Sequence, residues 1–261
     1  MIKRFTLVFT LFFLLFALSV SSQTTIVASN DTTICLGGSA NLSATVTSGS
    51  YGTSSYTFET YAYSPEPFSG GTPVCNSFSV CESTAGGKDD CLGGPFPIGF
   101  NFCFFNQTYT QFWIGSNGWI SFSAPPGKDW TTFTATTIPN SASTVPKNVI
   151  FFPWEDWLPC ESGAQNVFYY TEGTAPNRKL VVYFVSTMFF GCHSSYGTFE
   201  AVLNEQTNVI ENHILSKPQC GNEGSTQGVQ DSTVLLHLQQ QDVMILNGQP
   251  AMRVPVLYPV E

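Results

Sequence analysis

The stretch that decides the fold covers residues 95–122 and reads PFPIGFNFCFFNQTYTQFWIGSNGWISF. It is rich in Phe, Trp, Ile and Tyr, which are residue types that fit a pleated, half-buried surface. Asn117-Gly118 separates residues 111–114 (QFWI) from residues 119–122 (WISF), and Asn-Gly between two apolar runs is a strong hairpin signal. We therefore predict a β-hairpin closed by a two-residue type I′ turn, with positive φ at both Asn117 and Gly118. Because side chains alternate along a strand, this turn also sets the register of the sheet.

Apolar or alternating segments separated by turn residues continue on both sides of the hairpin, which is typical of short β-strands. The further strands that this pattern predicts are residues 56–63, 149–152, 167–170, 179–185, 196–203, 208–215, 234–238, 243–246 and 252–258. A long loop over residues 69–94 and a Ser/Thr/Pro-rich excursion over residues 123–146 interrupt them. Because no amphipathic-helix pattern follows the N-terminal apolar run, we predict an all-β fold, an antiparallel, jelly-roll-like β-sandwich stapled by disulfides.

The N terminus has the pattern of a secretory signal peptide, in which Lys3 and Arg4 precede an apolar run that ends in small residues. That run, residues 5–20, is shorter than the roughly 20 residues of a membrane span. The predicted organisation is a signal peptide at residues 1–22, an N-terminal β segment and linker at 23–55, and a β-sandwich domain at 56–261. We expect the mature chain to be secreted or at the extracellular cell surface, without a transmembrane segment.

Charge disfavours two classes of partner. The chain has 9 Lys and Arg against 18 Asp and Glu, a net charge of −9, and removal of Lys3 and Arg4 makes it more negative still. Nucleic acids and anionic membranes are bound by clustered Lys and Arg, so neither is an expected partner. Aromatic residues make up 15% of the chain, which indicates an aromatic core or, alternatively, a stacking surface.

An exported chain with eight cysteines is expected to form disulfides. Cys192 and Cys220 bracket the hairpin predicted for residues 196–215 and are the first candidate pair. Cys103 and Cys160 are a candidate pair between the two sheets, although spacing alone leaves other connectivities open. The remaining candidates are Cys75, Cys81 and Cys91 in the long loop and Cys35 near the N terminus. No Cys-x-x-Cys pair occurs, which disfavours structural zinc.

The most suggestive polar cluster is Trp154-Glu155-Asp156-Trp157. Two carboxylates flanked by indoles can bind calcium or a sugar, whose apolar face the rings would cover. Alternatively, one Trp enters the core and Asp156 caps a turn; in a strand, two Trp residues three positions apart would face opposite sides. The candidate ligand-binding residues are Trp113, Trp130, Trp154, Glu155, Asp156 and Trp157.

Neither a cofactor nor a catalytic site is predicted. No Asp-x-Asp-x-Asp-Gly loop is present, and Asp89-Asp90, Asp129 and Asp156 are isolated in sequence, so calcium remains only an alternative. We interpret the segment of Lys88, Asp89 and Asp90 as solvated surface. No Gly-x-Ser-x-Gly or His-Glu-x-x-His motif occurs, and the three histidines, His193, His213 and His237, are scattered. We therefore predict that the protein is not an enzyme.

Several motifs together resemble a module of large exported cell-surface proteins of Bacteroidetes, which are often labelled gliding-motility-associated or adhesin-like. These motifs are residues 63–71 (YSPEPFSGG), 96–105 (FPIGFNFCFF), 113–122 (WIGSNGWISF), 145–148 (VPKN), 153–157 (PWEDW), 175–182 (APNRKLVV) and 208–214 (NVIENHI). Residues 34–39 (ICLGGS) resemble the start of the Ig-like modules that accompany it. A looser similarity exists to nidogen-type extracellular domains, through the strand, Ser-Asn-Gly, strand hairpin and the Trp-x-Asp motif.

The resemblance implies an exported β-sandwich with a role in adhesion or surface assembly and supplies no catalytic residues. The expected partners are cell-surface polysaccharides or proteins, or further copies of the chain. A carbohydrate-binding, lectin-like module is one alternative, which exposed, co-planar indoles would favour. A second alternative is a self-assembling surface filament, whose extended ends at residues 23–29 and 253–260 would donate strands to neighbours. A hydrolase with an unfamiliar site is a third.

Overall fold

The computed structural model describes residues 25–28, 44–47, 55–61, 63–82, 88–220, 224–235, 237–240 and 254–260. The predicted signal peptide, the Ig-like residues 34–39 with Cys35, and the predicted strand at 243–246 lie outside these residues. The chain divides into two compact units, Met1–Tyr51 with Glu261 and Gly52–Val260. In the first unit, β1 (Thr25–Ala28) and β2 (Ala44–Thr47) form an antiparallel pair.

The second unit consists of two antiparallel sheets, which confirms the predicted all-β sandwich. Its strands are β3 (Ser55–Tyr61), β4 (Thr72–Pro73), β5 (Phe78–Cys81), β6 (Cys91–Phe104), β7 (Gln107–Gly115), β8 (Trp119–Ser121), β9 (Val149–Trp154), β10 (Trp157–Leu158), β11 (Val167–Glu172), β12 (Lys179–Phe189), β13 (Tyr196–Asn204), β14 (Ile210–Ser216), β15 (Thr226–Gln230), β16 (His237–Gln240) and β17 (Val254–Val260). The larger sheet has the order β3-β17-β14-β13-β12-β11-β4, with β10 also paired to β12, and the smaller has the order β16-β15-β9-β8-β7-β6-β5. Each sheet is mainly a meander of consecutive strands.

Helical structure in the described residues is limited to three short 3₁₀ turns, at Cys75–Ser77, Lys128–Trp130 and Glu161–Gly163. None of the helical segments in these residues is long and apolar enough to traverse a bilayer.

An aromatic core lies between the two sheets. Phe152 of β9 has its ring centroid 6.1 Å from those of both Phe184 and Phe199, which belong to the facing sheet. Phe112 of β7 similarly contacts Tyr169 of β11 at 5.5 Å. Because side chains alternate along each strand, the inner face of each sheet can contribute its rings to a shared core. The high Phe content of the chain is thus used largely in this core.

The excursion at residues 123–146 covers the outer face of the smaller sheet. Its apolar side chains Trp130, Ile138 and Val145 join a second buried cluster with Trp119 and Trp154 of that sheet. The Trp154 Nε1–H also donates to the Thr132 carbonyl at 3.2 Å. The segment therefore packs against the sheet without forming strands, as its lack of a strand pattern predicts.

The predicted hairpin is present, but the predicted turn type is wrong. Gly115 of β7 pairs with Trp119 of β8, so the connection contains three residues, 116–118, rather than two. Gly118 has φ +81°, whereas Asn117 is not among the residues with positive φ. Three-residue connections of this kind need only one left-handed residue, which is usually Gly. Asn117 is held in its conformation by side-chain hydrogen bonds that the local sequence does not reveal.

The segment interpreted as a long loop, residues 69–94, contains more regular structure than predicted. It includes β4, a 3₁₀ turn, β5 and the start of β6. Pro95 and Pro97 lie within β6 at register shifts between Gly93 and Phe96 and between Pro97 and Phe102. Bulges let a strand accommodate proline, which has no N–H to donate to the ladder.

The two chain ends considered as strand donors are already paired within the chain. β17 lies between β3 and β14 in the larger sheet, and β1 pairs with β2. β17 thus has a strand on each of its edges, whereas β1 belongs to a two-stranded sheet with β2, and the strand-donating filament stays a prediction.

Candidate functional site

The buried Asn117 side chain joins four segments at the tip of the hairpin. Its Nδ2 donates to Asp90 Oδ1 at 2.7 Å and to the carbonyl oxygens of Thr131 and Thr132, both at 3.2 Å. Its Oδ1 accepts the Trp157 N–H at 3.1 Å. Because the residue is only 1% exposed, these bonds satisfy an amide that has little access to water. The Asn of the Ser-Asn-Gly motif is therefore a structural junction.

The residues on either side of Asn117 complete this junction. Ser116 exchanges two hydrogen bonds with Cys91: its Oγ accepts the Cys91 N–H and its own N–H donates to the Cys91 carbonyl, both at 2.8 Å. Gly118 lies so close to the backbone that a Cβ there would be 2.2 Å from the Pro153 carbonyl oxygen. The Glu155 N–H donates to the Asn117 carbonyl at 3.1 Å. The start of β6 and the Trp154–Trp157 segment are thereby drawn to the same turn.

Three carboxylates meet beside this junction. Asp89, Asp90 and Asp156 each offer a carboxylate oxygen, and these oxygens lie within 4.8 Å of one another. Asp89 and Asp90 are buried, each 7% exposed, so their interpretation as solvated surface is wrong. The reason is that Lys88 points elsewhere, with Nζ donating to the Phe78 carbonyl at 3.2 Å, while the two aspartates turn under the hairpin tip. We call these three residues the aspartate cluster.

Burial dominates the electrostatics of the aspartate cluster. It raises the pKa of Asp90 to about 6, with the negative charges of Asp89 and Glu82 adding to the rise and the Asn117 hydrogen bond opposing it. Burial also raises the pKa of the Asp89 carboxyl. No lysine or arginine of the described residues contributes to either shift. The pKa values of Asp89 and Asp90 are thus raised by burial, with no lysine or arginine among the causes of either shift.

Four of the five indoles are buried, so they do not form an exposed stacking surface. Trp119, Trp130, Trp154 and Trp157 are at most 6% exposed, and Trp113 is half-buried. The predicted stacking role of Trp130, Trp154 and Trp157 is therefore not available to a ligand in solution.

Trp154 and Trp157 pack on opposite faces of the smaller sheet. Trp154 stacks on Phe151 at 4.6 Å in the outer cluster, whereas Trp157 stacks on Phe189 at 3.9 Å in the central core. Trp157 also lies over Gly197, where a Cβ would be 2.3 Å from its ring. Trp154 ends β9 of the smaller sheet, whereas Trp157 begins β10, which pairs with β12 of the larger sheet, and both rings are structural.

Glu155 pairs with a lysine from a distant strand end rather than facing solvent. Its Oε2 lies 2.7 Å from Lys217 Nζ, and both side chains are almost fully buried. The Lys217 ammonium also lies 5.6 Å from the centre of the Phe189 ring. Loss of either partner would leave a buried charge without its counter-charge, so the pair contributes to the local packing, and the ligand-binding role of Glu155 stays a prediction.

A second buried pair, which the sequence analysis did not predict, joins β13 and β14. His213 Nδ1 lies 2.9 Å from Glu200 Oε1, and neither side chain is exposed. Glu200 Oε1 also accepts the Glu66 N–H at 2.8 Å, and the Tyr63 ring meets the His213 ring edge-on at 5.7 Å. Burial raises the pKa of Glu200, against the opposing effect of the His213 hydrogen bond. Only the register of the two strands brings these residues together, so no local motif could have indicated the pair.

Three disulfides staple the described residues. The structure joins Cys192 to Cys220, Cys81 to Cys91, and Cys75 to Cys160. The candidate pairing of Cys160 with Cys103 is wrong, because Cys160 lies beside the 3₁₀ turn of Cys75 whereas Cys103 lies near the far end of β6. The Cys75–Cys160 bond encloses all three residues of the aspartate cluster in sequence, and the Cys81–Cys91 bond encloses Asp89 and Asp90.

These features define a class of protein, namely a disulfide-bonded, two-sheet β-sandwich of an extracellular type. The family model described as NIDO related matches residues 55–250, well over half of the chain, and the chain therefore belongs to the NIDO-related family. The similarity to nidogen-type domains, based on the Ser-Asn-Gly hairpin and the Trp-x-Asp motif, is thereby confirmed. Comparisons with curated proteins and with solved structures found no match.

Proposed function

We propose that the chain is an exported, non-catalytic extracellular protein that acts in adhesion or surface assembly. The observation that carries this proposal is the match to the NIDO-related family over residues 55–250. The three disulfides support an oxidising compartment such as the cell exterior. The resemblance of the motifs to gliding-motility-associated and adhesin-like proteins of Bacteroidetes supports the adhesive role.

The polar clusters support a non-catalytic protein. A catalytic base must reach a substrate proton within hydrogen-bond distance. The His213–Glu200 pair is fully buried, and Glu155 is covered by Lys217. Asn117, in the turn of the β7–β8 hairpin, uses its side chain on four protein groups. In each case the polar side chain serves the fold.

A contact surface is available at the end of the larger sheet that carries the Cys192–Cys220 bond. Phe190, Tyr196 and Leu215 are 45%, 46% and 51% exposed there. We call these three residues the apolar end. Single exposed apolar residues are ordinary, but a group on a disulfide-stapled hairpin is the kind of surface that protein interfaces bury.

Hydrogen bonds of adjoining residues hold the apolar end together. The Phe189 N–H donates to the Ser195 carbonyl at 3.2 Å, which places Phe190 beside the turn that leads to Tyr196. The Ser216 hydroxyl donates to the Tyr196 carbonyl at 3.5 Å, which places Leu215 on the neighbouring strand. Because β12 ends at Phe189, β13 begins at Tyr196 and β14 ends at Ser216, the three residues lie at one end of the larger sheet.

The test is binding of oxidised protein, residues 23–261, to cell envelopes and to a polysaccharide panel. A triple variant, Phe190→Ser, Tyr196→Ser and Leu215→Ser, is compared with Phe133→Ser, whose exposed ring lies in the excursion. We expect saturable envelope binding that the triple variant weakens at least tenfold and Phe133→Ser leaves unchanged. An absence of both saturable binding and self-association by light scattering would reject the proposal.

The same experiment distinguishes the carbohydrate-binding alternative from the proposed role in adhesion or surface assembly. Trp113 of β7 is the indole that retains partial exposure. Saturable binding to one polysaccharide that Trp113→Ala abolishes and the triple variant retains would assign a lectin-like function instead.

A further inference from the structure

The aspartate cluster has the composition of a cation site. Asp89, Asp90 and Asp156 form the one group among the described residues in which three or more potential ligand atoms of His, Cys, Asp or Glu converge. Asp89 and Asp90 come from the connection into β6, and Asp156 comes from the segment after β9. Acidic clusters on their own are common, so a site needs evidence that a positive charge is missing.

Asp89 supplies that evidence. Its side chain is more than nine-tenths buried, and its Oδ1 has no hydrogen-bond donor among the described residues. A buried carboxylate without a donor or a counter-charge is costly. The nearest basic residue in sequence, Lys88, gives its ammonium group to the Phe78 carbonyl. Asp90 receives one N–H, from Asn117.

We propose that the aspartate cluster binds a calcium ion through the carboxylates of Asp89, Asp90 and Asp156. An ion there would supply a positive charge beside the buried Asp89 carboxylate and would engage its otherwise unmatched Oδ1. Water and backbone carbonyl oxygens ordinarily complete the six to eight oxygen ligands of calcium.

The all-oxygen donor set favours calcium over other common metals. Zinc sites use Cys and His, and neither type of residue belongs to this cluster. Magnesium keeps several of its waters and is usually held by one or two carboxylates, whereas calcium accepts more carboxylates in irregular geometry. Extracellular modules bind calcium with dissociation constants of about 10⁻⁴ to 10⁻³ M.

The expected role of the ion is to tie two chain segments together. Asp89 and Asp90 are far from Asp156 in sequence, and the Cys75–Cys160 bond joins the same two regions. The ion would thus act as a second crosslink beside the hairpin tip. This inference rests on the geometry of the cluster and holds whether or not the protein is an adhesin.

The primary test is calorimetric titration of CaCl₂ into chelator-treated, oxidised protein, residues 23–261, with thermal unfolding in parallel. We expect one saturable site in the range given above and a midpoint that rises with calcium concentration. Asp89→Asn and Asp156→Asn are each expected to weaken calcium binding at least tenfold. The control Glu172→Gln, which neutralises an exposed carboxylate at the end of β11 on the other sheet, should bind like the parent.

Stability without calcium gives an independent readout. Because Asp89→Asn removes a buried charge that lacks a counter-ion, its midpoint in chelator should equal or exceed that of the parent. Parent-like calcium binding by both variants, or no saturable binding by the parent, would overturn the proposal.

Terbium luminescence tests the site on the parent protein alone, so it remains informative if the variants do not fold. Trp157 adjoins Asp156, so Tb³⁺ bound to the parent should emit on indole excitation, and calcium should displace it. Absence of sensitised emission, or emission that calcium does not reduce, would also reject the site.

Discussion

At the scale of single residues, the fold depends on glycines that let another group come close. A Cβ on Gly115 would be 2.1 Å from the Trp119 ring, and one on Gly197 would be 2.3 Å from the Trp157 ring. Glycine within a strand often marks such an approach. At Gly118 the approaching group is the Pro153 carbonyl, a backbone atom that cannot rotate away.

Gly118→Ala should therefore destabilise the protein more than Gly70→Ala. Both glycines have nearly the same φ, +81° and +80°, but nothing lies within 4 Å of a Cβ at Gly70. The left-handed conformation alone costs about 1–2 kcal/mol for alanine, and overpacking at Gly118 adds about 1–3 kcal/mol. Urea unfolding measures the difference, and equal losses for the two variants would show that the Pro153 contact relaxes freely.

Residue-level features were predictable where they depend on neighbours in sequence. The Ser-Asn-Gly hairpin follows from Asn117 and Gly118. The opposite facing of Trp154 and Trp157 does not follow from alternation along one strand, because they lie in β9 and β10 of different sheets. The turn type did not follow, because the partners of Asn117, such as Asp90 and Thr131, are distant in sequence. The aspartate cluster was not predicted for the same reason, since Asp156 is distant in sequence from Asp89 and Asp90.

At the scale of elements, the disulfides should differ in their contribution according to the length of chain that each closes. Cys75–Cys160 spans 85 residues and Cys81–Cys91 spans 10. The chain-entropy treatment gives about 4–5 kcal/mol for the first and about 2–3 kcal/mol for the second. We expect the Cys75→Ala/Cys160→Ala variant to be the less stable of the two double variants in guanidinium unfolding. The reverse order would indicate that native-state packing around Cys81, rather than chain entropy, dominates.

The paired strands β13 and β14 should make stability depend on pH through Glu200. Burial raises its folded-state pKa above the unfolded value of about 4.5, so the folded state holds this proton to higher pH than the unfolded state. The contribution of Glu200 is fully present below about pH 4.5 and is lost as pH rises through the folded-state pKa. Glu200→Gln should remove this loss, at about 1.4 kcal/mol for each unit by which the pKa is raised.

The control for Glu200 is a carboxylate whose pKa shifts the other way. The Arg178 guanidinium donates to Glu205 Oε2 at 2.8 Å and lowers the pKa of Glu205. Its stabilising effect is present above the unfolded pKa and is lost as pH falls through the folded-state value. Denaturant unfolding from about pH 2.5 to pH 8 should therefore show opposite pH dependences for the effects of Glu200→Gln and Glu205→Gln, and dependences of the same sign would contradict the assignment.

Elements were predictable where a strand pattern is strong. β9, β11, β12, β13 and β14 fall close to the expected segments because alternating or continuous apolar runs mark them. β4 and β5 were missed, since each is very short and lies among Gly, Ser and Asp. β4 pairs with β11 and β5 pairs with β6, and a local sequence pattern does not indicate such pairings.

At the scale of the whole molecule, β17 should be essential to the larger sheet. It pairs with β3 through residues 55–61 and with β14 at Ile210 and Glu211. A chain ending at residue 248 would leave β3 without its partner and expose the edge of β14. We expect loss of cooperative thermal unfolding or aggregation, whereas deletion of Glu261 alone, which lies outside β17, should have no effect. A cooperative transition in the shorter chain would mean that β17 is dispensable.

The position of β17 also sets an order of events during synthesis. The strand that opens the Gly52–Val260 unit finds its sheet partner only in its last residues, so their contact has nearly the greatest sequence separation available. Contacts of this kind form slowly, because the loop-closure entropy must be overcome first. A nascent chain that emerges N terminus first can form the β6–β9 meander early, but β3 lacks its partner strand until Val254–Val260 have emerged. The contact that completes the larger sheet is therefore among the last that this unit can form during synthesis.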